Sequence, residues 1–353
     1  MDKLQQVMKY FATAHTSEGF VNYLTTNLYD IDEIIVLQHP SNIVKTKIFE
    51  ELIRHYQSSH HIEVICSPHN KHYIDGMIIR DLSLAVLVDH ITENIEIKAK
   101  TLNLKEYITN VNGTQNFYYL QSEKKRLQEK AYAHFKAALM IHDQLEEVYI
   151  NEMDFKKADK IADHFISGLF NDLNISKNNG KSIVYERLFG TNTPDGFLNY
   201  LVPLIEPIGK RIYIKGRAGT GKSFFMKKVL KACKDHGFQI ELYRCSFDPN
   251  SIDMLIIRDL DICLFDSTPP HELFPARDSD EIIDFYEKTV TPGTDEKYAS
   301  LIQQLTKNYK LEMKIGREKL HAIKLLEANK EACWENVSLD EIQKVVKELI
   351  KKK

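Results

Sequence analysis

Gly216-Arg217-Ala218-Gly219-Thr220-Gly221-Lys222-Ser223 places three glycines within six positions, followed at once by Lys and Ser. The whole chain of 353 residues has only 14 glycines, so this concentration carries information. Every fixed position fits the spacing G-x-x-x-x-G-K-[ST]. The apolar run Ile212-Tyr213-Ile214 precedes it, and the pattern after it predicts a helix from Lys222 to Asp235. A phosphate group needs several inward-pointing backbone N–H donors. The loop that supplies them must curl through unusual dihedrals without an intruding Cβ. The helix N-terminus adds free N–H groups and partial positive charge. In this reading Gly216, Arg217, Ala218, Gly219, Thr220 and Gly221 cradle the phosphates. Lys222 reaches the β- and γ-phosphates, and the Ser223 hydroxyl ligates Mg²⁺.

Outward from the loop, the chain repeats itself. Gly19-Phe20-Val21-Asn22-Tyr23-Leu24 returns as Gly196-Phe197-Leu198-Asn199-Tyr200-Leu201, and Lys45-Thr46 returns as Lys222-Ser223, both at an offset of 177. Ile78-Ile79-Arg80-Asp81-Leu82 returns as Ile256-Ile257-Arg258-Asp259-Leu260 at 178, and Asp89 as Asp266 at 177. Such regularity marks a tandem duplication. The polar stretch Asn174 to Gly180 lacks an apolar period and is the expected linker. Each half alternates apolar runs with a helix: Ile34-Ile35-Val36-Leu37, Lys45 to Tyr56 and Ile62-Glu63-Val64-Ile65 in the first; Ile212 to Ile214, Lys222 to Asp235 and Gln239 to Tyr243 in the second. A last apolar run in each half ends in Asp89 or Asp266. Alternation of this kind predicts βαβ units on an α/β sheet. Helical stripes follow: Leu127, Ala131, Phe135, Ala138, His142 and Leu145, then Phe155, Ala158, Ile161, Ala162, Phe165 and Leu169 behind the cap Asp154. Ser338 caps a similar stripe of Leu339, Ile342, Val345, Val346 and Leu349. Packing of each such pair of helices on itself is expected.

On these residues the second half resembles the P-loop NTPase superfamily. The tandem layout, each half opening with an F-x-T…GF-x-NYL segment, resembles a bacterial family of duplicated P-loop proteins described as ATPases or nucleotide kinases. The resemblance implies two tandem P-loop-type three-layer αβα domains with mostly parallel sheets, each followed by a helical pair. Residues 1–176 would form the degenerate copy and 181–353 the intact one. It also implies ATP and Mg²⁺ as ligands, with Asp266, after Ile262-Cys263-Leu264-Phe265, holding the metal through water beside Ser223. The first copy departs from the pattern. In His39-Pro40-Ser41-Asn42-Ile43-Val44-Lys45-Thr46 the Lys and Thr survive, but His39, Asn42 and Val44 replace the glycines. Pro40 removes a donor. Val44 is expected to put a β-branched side chain where phosphate should approach, so the first half should have lost tight nucleotide binding.

Comparison of the copies sorts the other polar residues. Asp75/Asp253, Arg80/Arg258 and Asp81/Asp259 occur in both and are read as loop caps or domain contacts. Asp248 and His271 occur only beside the intact loop. Asp248 resembles the substrate-hydroxyl base of nucleoside-kinase-like enzymes, and an Asp-Pro turn is the alternative. Arg244, Arg258 and Arg277 could clamp phosphates. No Asn-Lys-x-Asp occurs, which favours ATP over GTP. Ser267, rather than Glu, follows Asp266, which argues against rapid hydrolysis.

Composition narrows the class. Taking roughly 150 residues per domain, the chain holds about two. It is 43% hydrophobic and 27% charged with a net charge of −3, an ordinary globular balance without the basic excess that nucleic acid asks for. The longest apolar run, Leu84 to Val88, cannot span a bilayer, and the N-terminus lacks a signal-peptide core. Five scattered cysteines fit reduced thiols in a cytoplasm. The leading expectation is an ATP-Mg²⁺-binding protein with slow or partner-stimulated hydrolysis, in which Lys222, Asp248 and Asp266 serve the chemistry. A small-molecule or nucleoside kinase and a nucleotide-switched interaction protein are the alternatives.

Overall fold

The computed structural model describes residues 7–108, 117–171 and 181–351; the expected linker lies outside them. The first half runs β1 (Val7–Tyr10), β2 (Thr13–Thr16), β3 (Gly19–Asn22), α1 (Leu24–Asn27), β4 (Glu33–Gln38), α2 (Asn42–Tyr56), β5 (Ile62–Cys66), β6 (Ile74–Ile79), β7 (Leu84–Val88), β8 (Lys100–Asn103), α3 (Phe117–Ile150) and α4 (Phe155–Asn171). The second half repeats this order as β9 (Ile183–Arg187), β10 (Gly190–Thr193), β11 (Gly196–Asn199), α5 (Leu201–Ile205), β12 (Lys210–Lys215), α6 (Lys222–Asp235), β13 (Gln239–Arg244), β14 (Ile252–Ile257), β15 (Ile262–Asp266) and β16 (Glu281–Asp284). The short helices α7 (Phe285–Thr289) and α8 (Thr294–Lys297) then lead into α9 (Ala299–Ala332) and α10 (Leu339–Lys351).

Each half contributes one six-stranded sheet, ordered β1-β5-β6-β7-β4-β8 and β9-β13-β14-β15-β12-β16. Both sheets are mixed. β6 runs antiparallel to β5 and β7, as β14 does to β13 and β15, while the remaining pairs are parallel. The reversed strand follows from loop length: a parallel crossover needs a dozen or more residues, and the short connection between β5 and β6 leaves room only for a return. Leu84, Ala85, Val86, Leu87 and Val88 make up β7 and are buried along its length, as expected of a central strand.

The two halves are joined about a pseudo-twofold axis. Phe11 and Leu188, separated by the repeat spacing itself, exchange both backbone hydrogen bonds at 2.9 and 2.8 Å. Mutual pairing of equivalent residues is the signature of an isologous contact. Beside it Arg187 is buried between Glu63 and Glu241, at 2.8 and 3.0 Å. Arg80 and Arg258 hold the outer sides of the same two carboxylates. These shared arginines therefore serve the contact between halves.

The helices correct one expectation. The helical pairs do not pack on themselves. α3 pairs with α9 in antiparallel fashion, through Lys124–Glu327 at 2.7 Å and His134–Glu312 at 2.6 Å, and near its C-terminal end Tyr149 donates to Asp295 of α8 at 2.9 Å. Ala131, Phe135 and Ala138 bury against Met313, Leu320 and Ile323, with the Phe135 ring over Gly316. α4 instead covers the second half: Ala158 and Ala162 enter its core and Phe165 packs on Phe225. α10 covers the first half, burying Ile342, Val345, Val346 and Leu349 there. Each half is thus completed by the other's last helix. The caps hold as read: Asp154 accepts from the Lys157 N–H and Ser338 from the Asp340 N–H. Among the described residues no helix is long and apolar enough to cross a membrane.

Candidate functional site

The glycine-rich loop connects the end of β12 to the start of α6, and the sequence accounts for its path. Gly216, Gly219 and Gly221 adopt φ of 154°, 73° and 85°, values that L side chains rarely take. Thr220 is buried, and its hydroxyl donates to the Arg217 carbonyl at 2.8 Å. Lys222 Nζ donates to the same carbonyl at 2.6 Å and lies 3.7 Å from Asp266 Oδ2. Gly221 stands at the N-cap of α6, so the helix offers its first N–H groups to the loop. Ser223 Oγ sits behind Lys222 and accepts from the Ile252 N–H at 3.2 Å. Ala218 is half-buried in the loop. Arg217 points away, bonded to Asp295 at 2.8 Å and lying over the Tyr286 ring.

Behind Lys222 lies a small polar group. Asp266 Oδ1 accepts from Thr268 Oγ1 at 2.6 Å, and its carbonyl accepts from His271 Nδ1 at 2.8 Å. His271 Nε2 is 3.9 Å from Asp253 Oδ2. Burial pushes the Asp253 carboxyl up to about 6; His271 opposes this and Asp266 adds to it. Asp253, read from the repeat as a loop cap or domain contact, lies beside this group through His271. Its copy Asp75 is buried and lies 3.5 Å from His90.

Other expectations change. The Asp248 carboxylate accepts from Ser251 Oγ at 2.6 Å and from the Asn250 N–H at 3.1 Å, the geometry of an Asx turn. Arg244 is bound to Glu186, Arg258 to Glu241, and Arg277 to the carbonyls of Ile208 and Glu206. All three are paired away from the loop: Arg244 bonds across the neighbouring strands β13 and β9, Arg258 joins the cluster at the contact between halves, and Arg277 holds the chain just after α5.

No motif or spacing signals that the first half reaches this loop. The C-terminal end of α3 lies on it. A Cβ at Gly219 would stand 2.5 Å from the Glu146 carbonyl oxygen, and one at Gly221 would stand 2.7 Å from Met153 Cε. His142, Asp143 and Glu146 bring their ligand atoms within 4.8 Å of one another. The His142 ring lies against Phe247 and Tyr309, both at 5.7 Å between centroids. Burial lowers the His142 pKa, with Lys222 acting in the same direction. Burial and Asp143 raise that of Glu146, while Lys222 and the Gly219 N–H oppose them.

In the first half, α2 begins at Asn42, with Ser41 as its N-cap. Val44 is therefore a buried residue of the first helical turn, whose N–H is satisfied by Ser41 Oγ, and does not stand in a phosphate's way. The position is filled from the other half. Glu331 of α9, 4% exposed, accepts from Ser41 Oγ at 2.6 Å, the Asn42 N–H at 2.9 Å and the Ile43 N–H at 3.1 Å. Trp334 stands edge-on to His39, and Lys47 Nζ donates to the Glu335 carbonyl. Lys45 pairs with Asp89 at 2.7 Å, the counterpart of Lys222 and Asp266. Comparison of the chain with protein-family models, with curated proteins and with solved structures finds no match.

Proposed function

We propose that the second half is a P-loop domain that binds ATP with Mg²⁺ and hydrolyses it slowly or on stimulation by a partner, and that the first half is its degenerate copy. The observation that carries this reading is the loop itself: three glycines at positive φ between a buried strand and a helix N-terminus, with Lys222 at its centre and Asp266 within 3.7 Å of that ammonium. The residues fit a magnesium nucleotide. Backbone N–H groups and Lys222 suit phosphate oxygens, whose charge they offset. Ser223 Oγ and Asp266 are hard oxygen donors of the kind Mg²⁺ takes, and the ion would neutralise phosphate charge. Lys222 would hold the terminal phosphates, and the roof of α3 over the loop would limit water there. Ser267 is buried and donates to the Leu273 carbonyl, so the residue after Asp266 offers no carboxylate to orient a water. This favours slow turnover.

Calorimetric titration with Mg-ATP tests the reading. The expected stoichiometry is one, abolished by Lys222→Ala and unaffected by Lys45→Ala. Two equal sites, or none, would sink it.

The alternative of a small-molecule or nucleoside kinase passes from Asp248, held in its turn, to Asp253, whose carboxyl, raised by burial and lying 3.9 Å from His271, suits acceptance of a hydroxyl proton. A screen for γ-phosphate transfer to a metabolite pool separates the two. A transfer rate left unchanged by Asp253→Asn would remove this base.

A further inference from the structure

The apolar stripe of α3 holds one residue that does not fit it. His142 stands between Ala138 and Leu145, where the spacing asks for another apolar side chain. Phe247 of the second half and Tyr309 of α9 pack against its ring, which stays 27% exposed. Glu146, one turn on, brings Oε1 to 3.7 Å from His142 Nδ1. That is too long for a hydrogen bond. It is close to the separation of about 3.4 Å between two donors on one tetrahedral ion with bonds of about 2.1 Å. Asp143 adds a third donor, and the ligand atoms of the three residues lie within 4.8 Å of one another. We propose that His142, Asp143 and Glu146 bind a divalent first-row transition ion near the C-terminal end of α3, beside the glycine-rich loop.

The surroundings favour a cation. The charges of Asp143 and Asp248 both act on Glu146 and on the imidazole, with Lys222 as the opposing cation. A bound ion relieves the repulsion among these carboxylates, and the negative end of the α3 dipole acts in the same direction. Donor chemistry narrows the choice of ion. An imidazole with two carboxylates suits Zn²⁺, Mn²⁺ or Co²⁺, whereas Mg²⁺ and Ca²⁺ take oxygen ligands. The group is also confined to one copy. Counted back from the C-terminal ends of the two long helices, the matching residues of α9 are Lys324, Leu325 and Ala328, a cation and two apolar side chains. The ligand set therefore occurs only beside the intact glycine-rich loop.

Asp143 is exposed, so its side chain can swing in to close the group around an ion. Three protein donors leave a four-coordinate ion one open position, as in catalytic rather than closed structural sites. The Glu146 main chain lies against Gly219, so a water or anion oxygen taken by the ion would stand near the loop. The proposal goes beyond the nucleotide reading and does not depend on it, since all three ligands belong to the first half.

Co²⁺ titrated into the untagged, metal-free protein tests the assignment, followed by calorimetry and by the visible absorption of the bound ion. One ion per chain is expected. His142→Ala should weaken binding by about a hundredfold or more, since even the loss of an outer-shell partner costs about 10–100-fold. Asp143→Asn, at an exposed position where folding is not at stake, should weaken it by about tenfold. His134→Ala removes another His–Glu pair of α3 and should bind as wild type does. Lys222→Ala, the variant expected to lose nucleotide, should keep the ion, so the two proposals fail separately. Zn²⁺ should displace Co²⁺, and excess Mg²⁺ should not. Absence of binding, binding indifferent to both His142→Ala and Asp143→Asn, binding lost in His134→Ala, or displacement by Mg²⁺ overturns the proposal.

Discussion

Single residues show how the copies have diverged in chemistry while keeping one backbone. His15 and His69 occupy the positions of Asn192 and Phe247. His15 is buried, with Nδ1 2.9 Å from Tyr132 Oη and Nε2 3.2 Å from His69 Nδ1. Burial lowers the His15 pKa to about 3, and burial together with His15 holds His69 well below its ordinary value. The sign follows from linkage. Above about pH 6.5 neither state holds the extra proton, so stability is whole. Below that pH the unfolded chain takes a proton that the folded protein refuses, so stability falls until about pH 3. Each such histidine contributes a slope of up to about 1.4 kcal/mol per pH unit. His15→Asn, which installs the residue of the second copy, should flatten the dependence of stability on pH between 6.5 and 4. Denaturant melts at several pH values measure this, and an unchanged slope would mean that His15 titrates freely in the folded state.

At the scale of elements, the strand–loop–helix unit was readable and its occupancy was not. Helix α6 starts at Lys222 as the pattern predicts, because Gly221 at positive φ ends the loop there. Helix α2 starts earlier than expected, since Ser41 caps it and no glycine delays it. The antiparallel β6 and β14 were missed, although short flanking loops already forbid a crossover. The first-half loop also yields a test. Restoring glycine at His39, Asn42 and Val44 with Pro40→Arg should not be enough to bind ATP, because Glu331 still fills the donors. On a Lys222→Ala background, scanning fluorimetry should show no ATP-dependent rise in melting temperature. Such a rise would show that the loop sequence alone excluded nucleotide and that Glu331 is no barrier.

Across the whole molecule, Arg187 sits at the centre of the cluster where the halves meet. Among the fully buried side chains of the described residues Arg187 stands among the largest, and it faces two equivalent glutamates. Burial works against the Glu63 carboxylate, but Arg187 and Arg80 outweigh it and bring its pKa down to about 2. Glu241 is lowered for the same reason, by Arg187 and Arg258 against burial. These depressed values add stability that is complete above the ordinary carboxylate range and fades as pH falls toward about 2. Removing Arg187 leaves two buried carboxylates with only their outer partners. Arg187→Met should cost about 3–5 kcal/mol, the usual scale for breaking a buried pair from one side. Equilibrium denaturation checks it. A loss below about 1 kcal/mol, the level of a surface ion pair, would show that burial of the halves does not depend on this cluster. The exchange of α4 and α10 makes the same point, since each half's core is closed by a helix from the other.

The amino-acid sequence by itself determined the duplication, the α/β class, the position of the glycine-rich loop and the loss of its glycines in the first copy. These are local properties: dihedral freedom, hydrophobic period and spacing act between near neighbours in the chain. Tertiary structure alone decided which half each helix covers, what fills the first loop and what roofs the second. An amphipathic stripe such as Ala158, Ala162 and Phe165 requires burial but does not name the surface that provides it. Glu331 and Glu146 look like ordinary charges on long helices until the antiparallel pair delivers each to a loop in the opposite half. Their meaning comes from packing between segments far apart in the chain, which no local pattern encodes.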